Sequence, residues 1–97
     1  MNRESVMQVH FPEESPVFDG ASMLMRFVVH LDGEPVVCAI TVEALEDHFG
    51  ARSALEAMLC GAFERGRESI RAACEDAIRE TGGSVVLHSG QFRLVDE

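Results

Sequence analysis

The sequence predicts an α+β fold: two layers, with a mostly antiparallel sheet of four to five strands and two helices on one face. Three observations predict it. Runs rich in β-branched and apolar residues fill residues 5–41 and are separated by turn signals. Two helical patterns follow between residues 41 and 81, and one more β-rich run closes the chain. Grouped strands and grouped helices point to segregated layers, not to an alternating parallel sheet.

The elements follow in chain order. "SVMQVHF", residues 5–11, alternates and reads as a first strand or an N-terminal extension, with "PEESP" as a polar turn behind it. "VFDGAS", residues 17–22, is a short strand ending at the Asp19–Gly20 turn signal. "MLMRFVVHL" and "PVVCAIT" are the arms of a hairpin around Asp32–Gly33. A two-residue loop pairs Leu31 with Glu34, Val29 with Val36 and Phe27 with Cys38. Alternation then places Met25, Phe27, Val29, Leu31, Val36, Cys38 and Ile40 on one apolar face. Arg26, Val28, His30, Val37, Ala39 and Thr41 take the other. A four-residue loop keeps these two sets, whereas a three-residue loop splits the apolar one.

"TVEALEDHFG" is a short helix. Thr41 caps its start, Glu43 sits at the positive end of the dipole, and Gly50 supplies a left-handed residue after its end. Ser53 and Glu56 have the spacing of a capping box and open a long helix. Leu55, Leu59, Phe63, Ile70, Cys74, Ala77 and Ile78 form its apolar stripe, and "TGG" ends it. As a straight rod, residues 54–81 would measure about 42 Å. A compact chain of this length has a radius of gyration of only about 12–13 Å. The helix therefore protrudes towards a partner or bends at Gly61 or Gly66. "SVVLHSGQFRLV", residues 84–95, is the last strand, kinked or turned at Gly90.

Bulk composition limits function. The 97 residues suit a single domain, 1–97, and 46% hydrophobic residues supply a core without disulfides or metal. No apolar run approaches the ~18–20 residues of a membrane span, and the N-terminus lacks a signal-peptide pattern. Three cysteines without framework spacing suit free thiols in a reducing cytoplasm. The net charge is −9. It is concentrated in residues 1–50, which hold nine acids and two arginines. Such a chain is poorly suited to phosphate backbones, and without Trp or Tyr it offers little for base stacking. There is no lysine, which removes Schiff-base chemistry and a phosphate-loop lysine.

The residues that suggest chemistry resolve mostly into structure. No nucleophile-elbow, zinc-protease, calcium-loop, dinucleotide or phosphate-loop motif is present. Cys38 and His30 fall on opposite sheet faces and form no nucleophile–base pair. Cys38 reads as a buried small hydrophobe and His30 as a surface residue. His10, His30 and His88 all fall in strands, but no HxH or CxxC spacing supports a zinc site. His48 answers the helix dipole. Cys60 and Cys74 lie about 21 Å apart on a straight helix and do not meet. Met7, Met23, Met25 and Met58 read first as core gap-fillers and second as an adaptable contact surface. No catalytic, cofactor-binding or metal residue is assigned. Arg67, Arg71 and His30 are the candidate interaction or structural-polar residues, with Arg71–Glu75 and Glu75–Arg79 as i,i+4 pairs.

"VFDGASMLMRFVVHLDGEPVVCAITVEALEDHFG", then "AFERGRESIRAACEDAI" and "GGSVVLHSGQF", resemble the bacterial domain of unknown function 1488 over residues 16–94. "VCAITVEALEDHFG" is the most recognisable part, followed by Phe63, Arg67, Ile70 and Ala73. The resemblance implies a small, stand-alone cytoplasmic protein with a compact α+β fold, and it brings no catalytic residues. The expectation is a non-enzymatic soluble domain acting through protein–protein contact, as a homodimer or with a regulatory protein partner. The alternative is a small-ligand module with a pocket between sheet and helices near Cys38, Phe27 and Phe63. An enzyme using Cys or His is the third reading. Nucleic acid, membrane and cofactor are not expected.

Overall fold

The computed structural model describes residues 8–92. The predicted α+β fold is present as a five-stranded sheet with its helices packed on one face. The hairpin forms the centre: β3 (Leu24–Leu31) pairs along its whole length with β4 (Glu34–Thr41), with Leu31 opposite Glu34 and Phe27 opposite Cys38. The two-residue loop register is thus the observed one. Asp32 and Gly33 have φ of 52° and 84°, the positive values that a right-twisted hairpin requires. Asp32 also anchors the chain before β1 (Val9–His10). Its N–H donates to Gln8 O at 2.8 Å, and its Oδ1 accepts from Gln8 N at 2.9 Å. β1 and β2 (Val17–Asp19) pair antiparallel with opposite ends of β3.

α1 (Val42–His48) begins as predicted, with Thr41 Oγ1 accepting from Ala44 N at 3.1 Å. Phe49 ends it, and Gly50 follows with φ 79°. The long helix is not one rod. It is α2 (Glu56–Arg65) and α3 (Arg67–Thr81), joined at Gly66, so among the described residues three α-helices cover the sheet instead of two. Gly66 N donates to Ala62 O and Ile70 N donates to Gly66 O, which keeps the joint bonded on both sides. Phe49 packs against this joint, and its ring occupies the space that a side chain at position 66 would need. Arg65 reaches back from α2 to donate to Phe49 O at 2.9 and 3.3 Å, satisfying a carbonyl at the end of α1.

Two local expectations are corrected. The capping box does not form: α2 starts at Glu56 with Leu55 as N-cap and no side-chain bond, while Ser53 Oγ accepts only from Leu55 N at 3.4 Å. Leu55 consequently lies outside the buried stripe, 68% exposed. The last β-rich run forms only β5 (Val86–Leu87), after which Ser89–Phe92 wind into one 3₁₀ turn. β5 runs parallel to β4, with Ala39 opposite Val86 and Ile40 opposite Leu87, because the helices carry the chain back before it pairs. The expected strand residues 5–7 and 93–95, with Met7, lie outside the described residues.

One core joins the layers. Met25, Phe27, Val29, Cys38 and Ile40 from the predicted apolar sheet face are buried against Leu45 of α1, Leu59 and Phe63 of α2, and Ile70, Cys74 and Ile78 of α3. No helix among the described residues is long and apolar enough to cross a membrane.

Candidate interaction face

The helices cover one face of the sheet, so the site question concerns the other. Alternation turns Arg26, Val28 and His30 of β3 outwards, together with Val37 of β4. The strand registers add neighbours: Val17 lies opposite Arg26, and Val86 lies opposite Ala39. Val17, Val37 and Val86 are 65%, 51% and 41% exposed. Two shallow concavities meet at Val37 and Arg26. One, of about 270 Å³, includes Glu14, Val17 and Val28; the other, of about 140 Å³, includes Ser84 and Val86.

Arg26 is the charged centre of this face. Its Nε and Nη2 donate to Asp19 Oδ2 at 3.1 and 2.9 Å, and Ser22 N donates to Asp19 Oδ1 at 3.2 Å. These bonds, the arginine's first, hold the Asp19 carboxyl below its ordinary value. The face therefore presents an apolar ridge around a compensated ion pair.

The β4 edge beside this face is closed to strand addition. Pro35 has no N–H, Val37 O accepts from Ser84 Oγ, and Ala39 N donates to Val85 O at 3.0 Å.

The residues singled out in the sequence have three different settings. Arg67 straps the N-terminal segment onto the helices. It forms a bidentate pair with Glu64 at 3.0 and 2.7 Å and donates to Pro12 O and Glu14 O at 3.4 and 3.1 Å. Its guanidinium carbon lies 5.2 and 5.9 Å from the Phe63 and Phe11 ring centroids. Arg71 stays on the solvent side of α3, paired with Glu68 at 2.9 Å and Glu75 at 3.8 Å. His30 stands on the outer face beside His10, with ring centroids 5.8 Å apart. His88 is not with them. It follows Leu87, opposite Ile40, whereas His30 lies opposite Pro35 at the other end of the hairpin.

Two groupings escaped the sequence reading. Cys74 does not meet Cys60, but its thiol adjoins that of Cys38 across the interface between α3 and β4. The adjoining thiols are driven apart: contact with Cys74 draws Cys38 below the ordinary thiol value against burial, and Cys74 is pushed up by the same contact and by burial. The second grouping is Asp47, His48 and Ser89. Ser89 Oγ donates to Asp47 Oδ2 at 2.6 Å, while His48 Nε2 lies 2.9 Å from Ser89 O and 3.1 Å from Ser89 Oγ. Ser89 thus lies between the Asp47 carboxylate and the His48 imidazole, and the trio ties the 3₁₀ turn to α1.

Phe27 and Phe63 pack with ring centroids 5.4 Å apart, and both are buried with Cys38 in the common core.

The model of the DUF1488 family, described as a protein of unknown function, matches residues 9–88. A crystal structure of a protein of unknown function from the DUF1488 family of Shewanella loihica PV-4 is similar with a TM-score of 0.73 at 19% identity. The likeness covers 81% of this chain and 90% of that one and concerns the fold. No curated protein matches the chain.

Proposed function

The chain belongs to the DUF1488 family, and we propose that it works as a protein–protein contact domain whose outer sheet face binds a second copy of itself. The observation that carries this reading is the exposure of Val17, Val37 and Val86 around the Arg26–Asp19 pair. Contiguous apolar residues rimmed by polar groups are characteristic of contact surfaces. The bend at Gly66 removes a protruding helix as a reason to expect a partner, so the sheet face is the remaining support.

Charge favours a copy of the same chain. The patch holds Arg26 with Asp19 and Glu14, both signs on one surface. A surface that carries both signs can complement a second copy of itself in an isologous contact. The helical side displays Glu56, Glu64, Glu68, Asp76 and Glu80 at the surface, so a chain of net charge −9 meets itself with least repulsion through the sheet. The buried thiols of Cys38 and Cys74 suit a cytoplasmic, non-enzymatic domain.

Sedimentation velocity over a concentration series tests the reading. The wild type is expected to approach twice its 10.7 kDa mass. Val37→Glu is expected to remain monomeric with an unchanged circular dichroism spectrum, and Leu55→Glu to associate as the wild type does. A wild type that stays monomeric throughout overturns the proposal.

A further inference from the structure

We propose that His10 and His30 form a two-imidazole site for a borderline divalent transition-metal ion of the Cu²⁺, Ni²⁺ and Zn²⁺ class. The two residues are direct cross-strand partners in the β1–β3 register, so their side chains leave the same sheet face. Their ring centroids are 5.8 Å apart, with the planes tilted by 40°. Metal–nitrogen bonds of ~2.0–2.1 Å place two imidazole centroids about 5.2 Å apart on a tetrahedral Zn²⁺ and about 4.5 Å apart at the right angle of an octahedral Ni²⁺ or square-planar Cu²⁺. The observed pair is wider than these spacings by about 0.6 and about 1.3 Å, a closure that side-chain rotation supplies without moving either strand. The backbone thus holds the second imidazole ready once the first has bound.

The surroundings agree. Among the described residues, neither ring makes a hydrogen bond, in contrast to His48, whose Nε2 is engaged by Ser89. The chain's net charge of −9 attracts cations. Among the described residues no cluster of three or more metal-ligating side chains occurs, so water fills the other coordination positions and the ion exchanges readily. Bound there, an ion links β1 to β3 beside the Gln8–Asp32 bonds and reinforces the attachment of the N-terminal segment. The site does not depend on self-association.

The test is a Ni²⁺ titration of the full chain, following the ring C–H signals of His10, His30, His48 and His88 by NMR. Paramagnetic broadening is expected at His10 and His30 together, at a lower Ni²⁺ concentration than at His48 or His88. His10→Gln is expected to weaken Ni²⁺ binding at His30 by roughly tenfold, through loss of the chelate. His48→Gln leaves the His10 and His30 titrations unchanged. Parallel broadening of all four histidines, or an unchanged His30 titration in His10→Gln, overturns the proposal.

Discussion

The ring of Phe49 rests on the α-carbon of Gly66, so closely that a Cβ at position 66 would lie 2.2 Å from Phe49 Cδ1. This contact joins the end of α1 to the α2–α3 joint and reserves position 66 for glycine. Alanine at an ordinary exposed helical glycine stabilises by about 1 kcal/mol. Gly66→Ala is expected to do the opposite, lowering stability by about 1–3 kcal/mol through overpacking. Urea unfolding measures it, and a smaller ring at position 49, Phe49→Leu, should recover part of the loss in the double variant.

Arg67 and Arg71 lie one helical turn apart and should behave differently. The Arg67 side chain is 19% exposed and satisfies two carbonyls of the N-terminal segment as well as Glu64. Arg67→Ala is expected to cost about 1–3 kcal/mol, and hydrogen exchange should show faster opening around residues 11–14. Arg71→Ala removes surface pairs only and should change stability by less than about 0.5 kcal/mol. Equal effects would contradict the strap.

Acid should weaken the fold through two named carboxylates. Arg26 and Ser22 hold Asp19 below its ordinary value, and Arg67 does the same for Glu64. A carboxyl depressed in the folded state contributes above its unfolded value and loses that contribution as pH falls through the folded one. Stability measured by urea titration should therefore decline below about pH 4. The double variant Asp19→Asn, Glu64→Gln should show a shallower decline; an identical pH profile would argue against these pairs.

The three thiols should separate kinetically. Cys38 and Cys74 are buried, whereas Cys60 is partly exposed, with its thiol pushed up by burial and by Glu56 and Glu64. Iodoacetamide is expected to label Cys60 slowly in the native protein, and Cys38 and Cys74 only after denaturant is added. Peptide mapping by mass spectrometry identifies the order. Early labelling of Cys38 would show that its region opens.

Features governed by local periodicity were legible from the sequence. Period-two alternation and the Asp32–Gly33 turn predict the hairpin and both of its faces, including Val28 and Val37 on the outer one. The Thr41 cap and the Gly50 terminator are equally local. The rest depends on distant partners. Gly61 and Gly66 look alike in sequence, and only the fold brings Phe49, at the end of α1, against Gly66 at the joint. Ser53 and Glu56 have capping-box spacing, but the chain enters α2 through Leu55. Val17 and Val86 join the outer face through the pairings of β2 and β5, which no local pattern specifies. The same holds for Arg26 with Asp19, for Arg67 with carbonyls 53 and 55 residues away, and for Cys38 with Cys74.

The central claim is that two copies meet through the outer sheet face. An isotope-filtered NOE experiment on an equal mixture of ¹³C-labelled and unlabelled chains tests it directly. The account predicts intermolecular contacts to the methyl groups of Val17, Val37 and Val86. Contacts centred instead on Leu55 and Met58, the exposed apolar residues near the start of α2, would contradict it, as would no intermolecular contact at millimolar concentration.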